Sequence, residues 1–138
     1  MHTLTHALIS GLLSLMLYPI YGDNVIYLFI GGFFMDLDHI FMVPFRLDYL
    51  DVIKQYRQIM HYIKKKSFDS VRDTLFMFHT IEFMVILLFM SFYSEIFLLI
   101  LAGVVLHHFL DIVYEFFVLG ELIKVNNMSV ILWVIKRL

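Results

Sequence analysis

Cysteine is missing from this 138-residue chain. That excludes disulfides, cysteine-ligated zinc and iron–sulfur clusters, and leaves the redox compartment unread. Charge is scarce: Asp, Glu, Lys and Arg supply 16% of the residues and the formal net charge is −2. No basic n-region and no small-residue cleavage site precede Tyr18-Pro19, so a cleavable signal peptide is not expected. Internal repeats and low-complexity segments are absent from the sequence. What fills the chain is apolar: 62% hydrophobic residues and a mean hydropathy of +0.87, against about 45–50% apolar in an ordinary soluble domain. The length suggests one domain.

Four apolar stretches, residues 4–20, 25–45, 74–92 and 96–119, each approach or pass the ~17–25 residues of a membrane-spanning helix. Tyr21-Gly22-Asp23-Asn24 separates the first pair and Tyr93-Ser94-Glu95 the second, so each pair reads as an antiparallel hairpin. Residues 46–73 between the hairpins hold seven of the ten Lys and Arg, and the other three (Lys124, Lys136, Arg137) lie near the C-terminus. The two short turns have none. The positive-inside rule then places both termini and the central connector in the cytoplasm. The expected fold is all-α: a polytopic inner-membrane protein with a four-helix transmembrane bundle, a basic cytoplasmic connector, and a short interfacial helix carrying Trp133 in the tail, residues 120–138. Lys64-Lys65-Lys66 in the connector is expected to attract anionic lipid.

Besides Glu115, which lies four residues past Asp111 and could extend the site, nine His, Asp and Glu side chains sit inside these stretches: His6; Asp36, Asp38 and His39; His79 and Glu82; His107, His108 and Asp111. A charge at bilayer depth costs ~2.5–3.5 kcal/mol or more, so such residues normally face a bundle interior and mark function. The orientation puts all nine in the cytosolic half and none in the outer half. His107 with Asp111, His79 with Glu82, and Asp36 with His39 are spaced four, three and three residues apart, so on a helix each pair shares a face. Helical bundles assemble two-metal carboxylate sites from such pairs. His6, Asp36, His39, His79, Glu82, His107 and Asp111 are therefore the candidate metal ligands. Asp38 points some 200° from Asp36 on a helix; it is a candidate general base, or the partner that holds a ligand histidine in its tautomer. His108 lies about 100° from His107 and reads as a helix–helix hydrogen-bonding residue. Gly11, Gly31, Gly32 and Gly103 lie inside the stretches, where small residues let helix backbones approach closely.

The chain resembles small integral-membrane proteins classed as metal-dependent hydrolases, of the damage-regulated inner-membrane type. The resemblance rests on Thr5-His6 with Gly11, Met35-Asp36-Leu37-Asp38-His39, Phe78-His79-Thr80, and Gly103-Val104-Val105-Leu106-His107-His108-Phe109-Leu110-Asp111, across roughly residues 3–120. Met35 stands where that family has proline, and Phe78-His79-Thr80-Ile81-Glu82 is a reduced form of its third motif. The family is in turn remotely similar to zinc-dependent phospholipases C, whose ligands fall here on His6, Asp36, His79, His107 and Asp111. The resemblance implies two divalent ions, zinc first among them, hydrolysing a phosphoester or lipid head group from the cytosolic side. The implied partner is membrane lipid, with no nucleic acid and with a homodimer possible. A membrane di-iron oxidase or desaturase is a rival, but seven histidines fall short of its boxes. A metal-ion conduit needs polar residues through the whole depth.

Overall fold

The computed structural model describes residues 3–38, 75–119 and 128–135, and all of the regular structure there is helical. Helix α1 spans Thr3–Tyr21, α2 Val25–Phe33, α3 Ile81–Ser91, α4 Glu95–Tyr114 and α5 Val130–Ile135. A 3-10 turn, Gly22–Asn24, reverses the chain between α1 and α2. Gly22 has φ +56°, a left-handed conformation that side chains with a Cβ rarely adopt. The turn between α3 and α4 ends at Ser94, whose Oγ accepts from Ile96 N at 3.3 Å as an N-cap. The basic connector, including Lys64–Lys66, and His39 lie outside the described residues.

Two helical stretches, Thr3–Asp36 and Glu95–Phe117, are long and apolar enough to cross a membrane. The first is folded back at Gly22, so it is a hairpin of two helices. The third expected span differs from its sequence reading: α3 begins at Ile81 and has 11 residues, only about 16 Å at 1.5 Å per residue. Ahead of it, Met77–His79 forms a 3-10 turn and Thr80 is extended (φ −93°, ψ 151°). Thr80 Oγ1 accepts from Phe83 N at 3.4 Å and donates to Met77 O at 2.8 Å. This cap starts the helix later than hydropathy alone predicts.

Packing runs α1–α2–α4–α3, with α1 also touching α4. Ser14 Oγ donates to Val25 O (3.2 Å) across the first hairpin. Gly31, Gly32 and Gly103 bring α2 and α4 into backbone contact: a Cβ at Gly103 would overlap Leu28 O and lie 2.6 Å from Gly32 N, and one at Gly31 would overlap Ile100 O. These contacts, with 31 against 100 and 28 against 103, make α2 and α4 antiparallel. The start of α1, the end of α2, the turn before α3 and the end of α4 therefore gather at one end of the array.

Polarity is inverted relative to a water-soluble core. Val25, Leu28, Met35, Leu87, Leu99 and Val104 are buried, but so are His6, Ser10, Ser14, Asp38, His79, Thr80, His107, His108, Asp111 and Glu115. Leu4, Leu8, Leu12, Leu15 and Met16 of α1 are exposed. Among the described residues more polar than apolar side chains are buried, and apolar ones cover much of the outside. Such an arrangement fits a membrane protein.

Candidate metal centre

Local backbone geometry sets the site. Past Phe33, α2 tightens into a 3-10 turn, Phe34–Asp36. Tightening the last turn of a helix releases carbonyls from the regular ladder, and Gly32 O accepts from His107 Nδ1 at 2.8 Å. The close approach at Gly103 and Gly31 makes that bond possible. It also fixes the tautomer: with its proton on Nδ1, His107 directs the Nε2 lone pair inward.

His79 is held the same way. Its Nδ1 donates to Asp38 Oδ2 at 3.0 Å, and the same oxygen accepts from Phe78 N at 3.2 Å. Its Nε2 then faces His107 Nε2 at 3.2 Å. Two imidazole lone pairs pointed at each other need a cation between them, either a proton or a metal ion. Carboxylates approach the same point. Asp36 Oδ1 lies 3.4 Å from His107 Nε2 and 3.9 Å from His79 Nε2. Asp111 Oδ2 lies 3.4 Å and 4.0 Å from those atoms. A tetrahedral ion with ~2.0–2.1 Å bonds has ligand–ligand edges of about 3.3 Å; the 3.2 and 3.4 Å separations match that edge, while the 3.9 and 4.0 Å ones are longer. His79, His107, Asp36 and Asp111 thus converge from three segments that are remote in sequence.

Asp111 faces two ways. Its other oxygen, Oδ1, accepts from His6 Nε2 at 3.2 Å, and the His6 ring stacks on His107 with centroids 3.8 Å apart and planes 15° apart. The ligand atoms of His6, His107 and Asp111, and those of Asp36, His79 and His107, each lie within 4.8 Å of one another. His107 belongs to both groups, yet with Nδ1 on Gly32 O it has one lone pair to give. A second ion could take the place of the proton between His6 Nε2 and Asp111 Oδ1. His6 Nδ1 is buried without a hydrogen-bond partner.

Of the residues singled out in the sequence, His6, Asp36, Asp38, His79, His107 and Asp111 meet here. Glu82 does not join them. Because α3 starts at Ile81, His79 precedes the helix and the two side chains share no helical face. Glu82 instead accepts from Ser129 Oγ (2.6 Å), Val130 N (3.2 Å) and Ile131 N (3.3 Å). His108 packs beside His79, with ring centroids 5.4 Å apart, and its Nδ1 donates to Val104 O at 2.9 Å. Sequence reasoning missed the Gly32 carbonyl and the Phe78 amide, since backbone groups leave no residue-type signal. It also passed over the burial of Glu115, although its position one helical turn past Asp111 hinted at it.

Comparison with protein-family models, with curated proteins and with solved structures returns no match for this chain.

Proposed function

We propose that this protein is a membrane-embedded, metal-dependent hydrolase that acts on a phosphoester or lipid head group from the cytosolic side. The observation that carries the reading is the facing pair His79 Nε2 and His107 Nε2, each with its Nδ1 proton committed elsewhere and each flanked by Asp36 and Asp111. Neutral imidazoles with carboxylates suit zinc, and the two-faced Asp111 supports a pair of ions. The resemblance to membrane-bound metal-dependent hydrolases points the same way.

His79, His107 and Asp111 would hold one ion and leave a position for water beside Asp36, and His6 with Asp111 would hold a second. Bound divalent metal lowers the pKa of its water toward neutrality and stabilises charge on the leaving oxygen. Asp38 acts through His79: its carboxylate keeps Nε2 aimed inward and makes the ring a stronger donor. Asp36 is the most exposed carboxylate of the cluster, at 12% against 4% for Asp38 and Asp111. It is placed to hold the attacking water and accept its proton.

In this reading α1 to α4 lie within the bilayer, with α3, at about 16 Å, too short to cross it by itself. The site end is cytosolic, because the chain leaves α2 there and re-enters before α3 through the connector holding seven Lys and Arg. The test is metal analysis of the purified protein together with hydrolysis of phospholipid and soluble phosphodiesters. Bound zinc and turnover, both lost in His107→Ala with Asp111→Ala, support the proposal; a metal-free wild-type protein with no such turnover rejects it.

A further inference from the structure

The Glu82 carboxylate receives the start of α5, and one residue earlier Ile81 N donates to Met128 O at 2.7 Å. With three donors on its two oxygens, Glu82 satisfies N–H groups that the first turn of a helix leaves open, and its charge suits that end of the helix dipole. Ser129 Oγ in turn accepts from Leu132 N at 3.3 Å. A six-residue helix is marginal alone in water, so this anchor is what holds it.

Most of α5 is uncovered, with Val130 and Trp133 half-buried. It has no buried residue, and Ile131, Leu132, Val134 and Ile135 are all exposed. The face of α3 beside it is equally bare, with Ile81, Val85, Ile86 and Phe89 exposed. The two apolar surfaces are continuous through the Ile81–Met128 bond. In sequence, Lys136 and Arg137 follow α5 directly, a charge complement to anionic head groups. Trp133 sits within α5, and tryptophan favours the membrane–water boundary. An apolar helix at the site end of the array, joined to an apolar span and followed by cations, matches a lipid surface and not a water-facing tail.

We propose that residues 128–135 form a strap seated in the inner-leaflet interface, fastened by Glu82 to the chain just after His79. The strap makes the lipid beside it the lipid nearest the metal centre, which gives the site its access to head groups. The inference rests on the membrane reading above.

Trp133 is the chain's one tryptophan, so its fluorescence reports the strap alone. The full chain is reconstituted in phosphatidylcholine–phosphatidylglycerol vesicles whose acyl chains carry bromine either near the head group or near the terminal methyl. Shallow bromines are expected to quench Trp133 about twofold or more, and deep ones less, as for an interfacial indole. Glu82→Ala should weaken that quenching and open Trp133 to aqueous acrylamide; Ser129→Ala, a milder change, should do the same to a smaller degree. Absent bromine quenching overturns the proposal, whether Trp133 is then in water or shielded by a second copy of the chain. So does quenching unchanged in both variants. Resistance to an alkaline carbonate wash separates the failures: a chain released by the wash defeats the membrane reading itself, whereas a retained chain with Trp133 unquenched defeats only the strap.

Discussion

The two ends of the helical array contain the same acidic side chains in opposite circumstances. At one end Asp23 and Glu95 are exposed, beside Tyr18, Ile20, Phe92 and Tyr93, and Asp23 Oδ1 accepts from Tyr18 OH at 3.4 Å. At the other, Asp38 and Asp111 are buried and Asp36 nearly so, each against at least one imidazole. Asp23 and Glu95, being exposed, can take their hydration from solvent. Asp36, Asp38 and Asp111 have lost most of theirs, and imidazole and backbone groups stand beside them in its place. Enclosure with imidazole, not the presence of carboxylates, makes one end a site.

The largest effect is expected where that contrast is sharpest. His107→Ala with Asp111→Ala removes the ring shared by both ligand groups and the carboxylate that bridges them, and bound zinc measured by mass spectrometry of the purified protein should disappear. Asp23→Asn with Glu95→Gln removes two carboxylates from the open end, against one in the first variant, and should leave metal content unchanged. Equal losses in the two double variants would mean that metal follows net charge and not the buried cluster.

Next in size is the contact that allows the cluster to form. Gly103→Ala places a Cβ on Leu28 O and near Gly32 N, atoms of helix backbone that cannot rotate away. Overpacking of this kind costs about 1–3 kcal/mol, and here it also pulls His107 from Gly32 O. A lower thermal midpoint in detergent and weaker metal retention should appear together. Gly11→Ala is the control, because its Cβ would make ordinary contact with Phe29 at 3.8 Å.

Asp38→Asn should have an intermediate effect. The amide fills the same space but no longer offers a carboxylate to His79 Nδ1 and Phe78 N. Losing such an outer partner typically lowers metal affinity about 10–100-fold without abolishing binding, which competition against a chelator of known affinity would measure. Complete loss would instead make Asp38 a ligand.

Much of this was readable before any coordinates. Intramembrane His and Asp residues concentrated toward one face, and the pair His107 and Asp111 sat one turn apart on a long regular helix; both survive because α4 is uninterrupted from Glu95 to Tyr114. The glycines pointed to close backbone approach, which only a missing Cβ permits. What misled was assuming helical continuity where the chain breaks. The pairing of His79 with Glu82 required α3 to begin before His79, but Thr80 caps the helix one residue after it. The spread between Asp36 and Asp38 looked like divergence on a helix; in the 3-10 turn and the residues after it, the two carboxylates reach opposite nitrogens of one ring, at 3.9 Å and 3.0 Å. Periodicity describes regular segments well and says least about turns, which is where ligands are aimed.

The smallest expected effect is at Glu82, which the sequence ranked below Asp36 as a ligand. Glu82 lies three residues from a metal-centre histidine, the spacing that made it a candidate. Its three hydrogen-bond donors all belong to residues 129–131, so Glu82→Ala should leave zinc stoichiometry intact and shift affinity by less than the 10–100-fold of an outer-partner loss. The same chelator competition used for Asp38→Asn reads it directly. A loss as large as that of Asp38→Asn would show that the tail contact is transmitted to His79 through Thr80, and that the strap and the metal centre work as one unit.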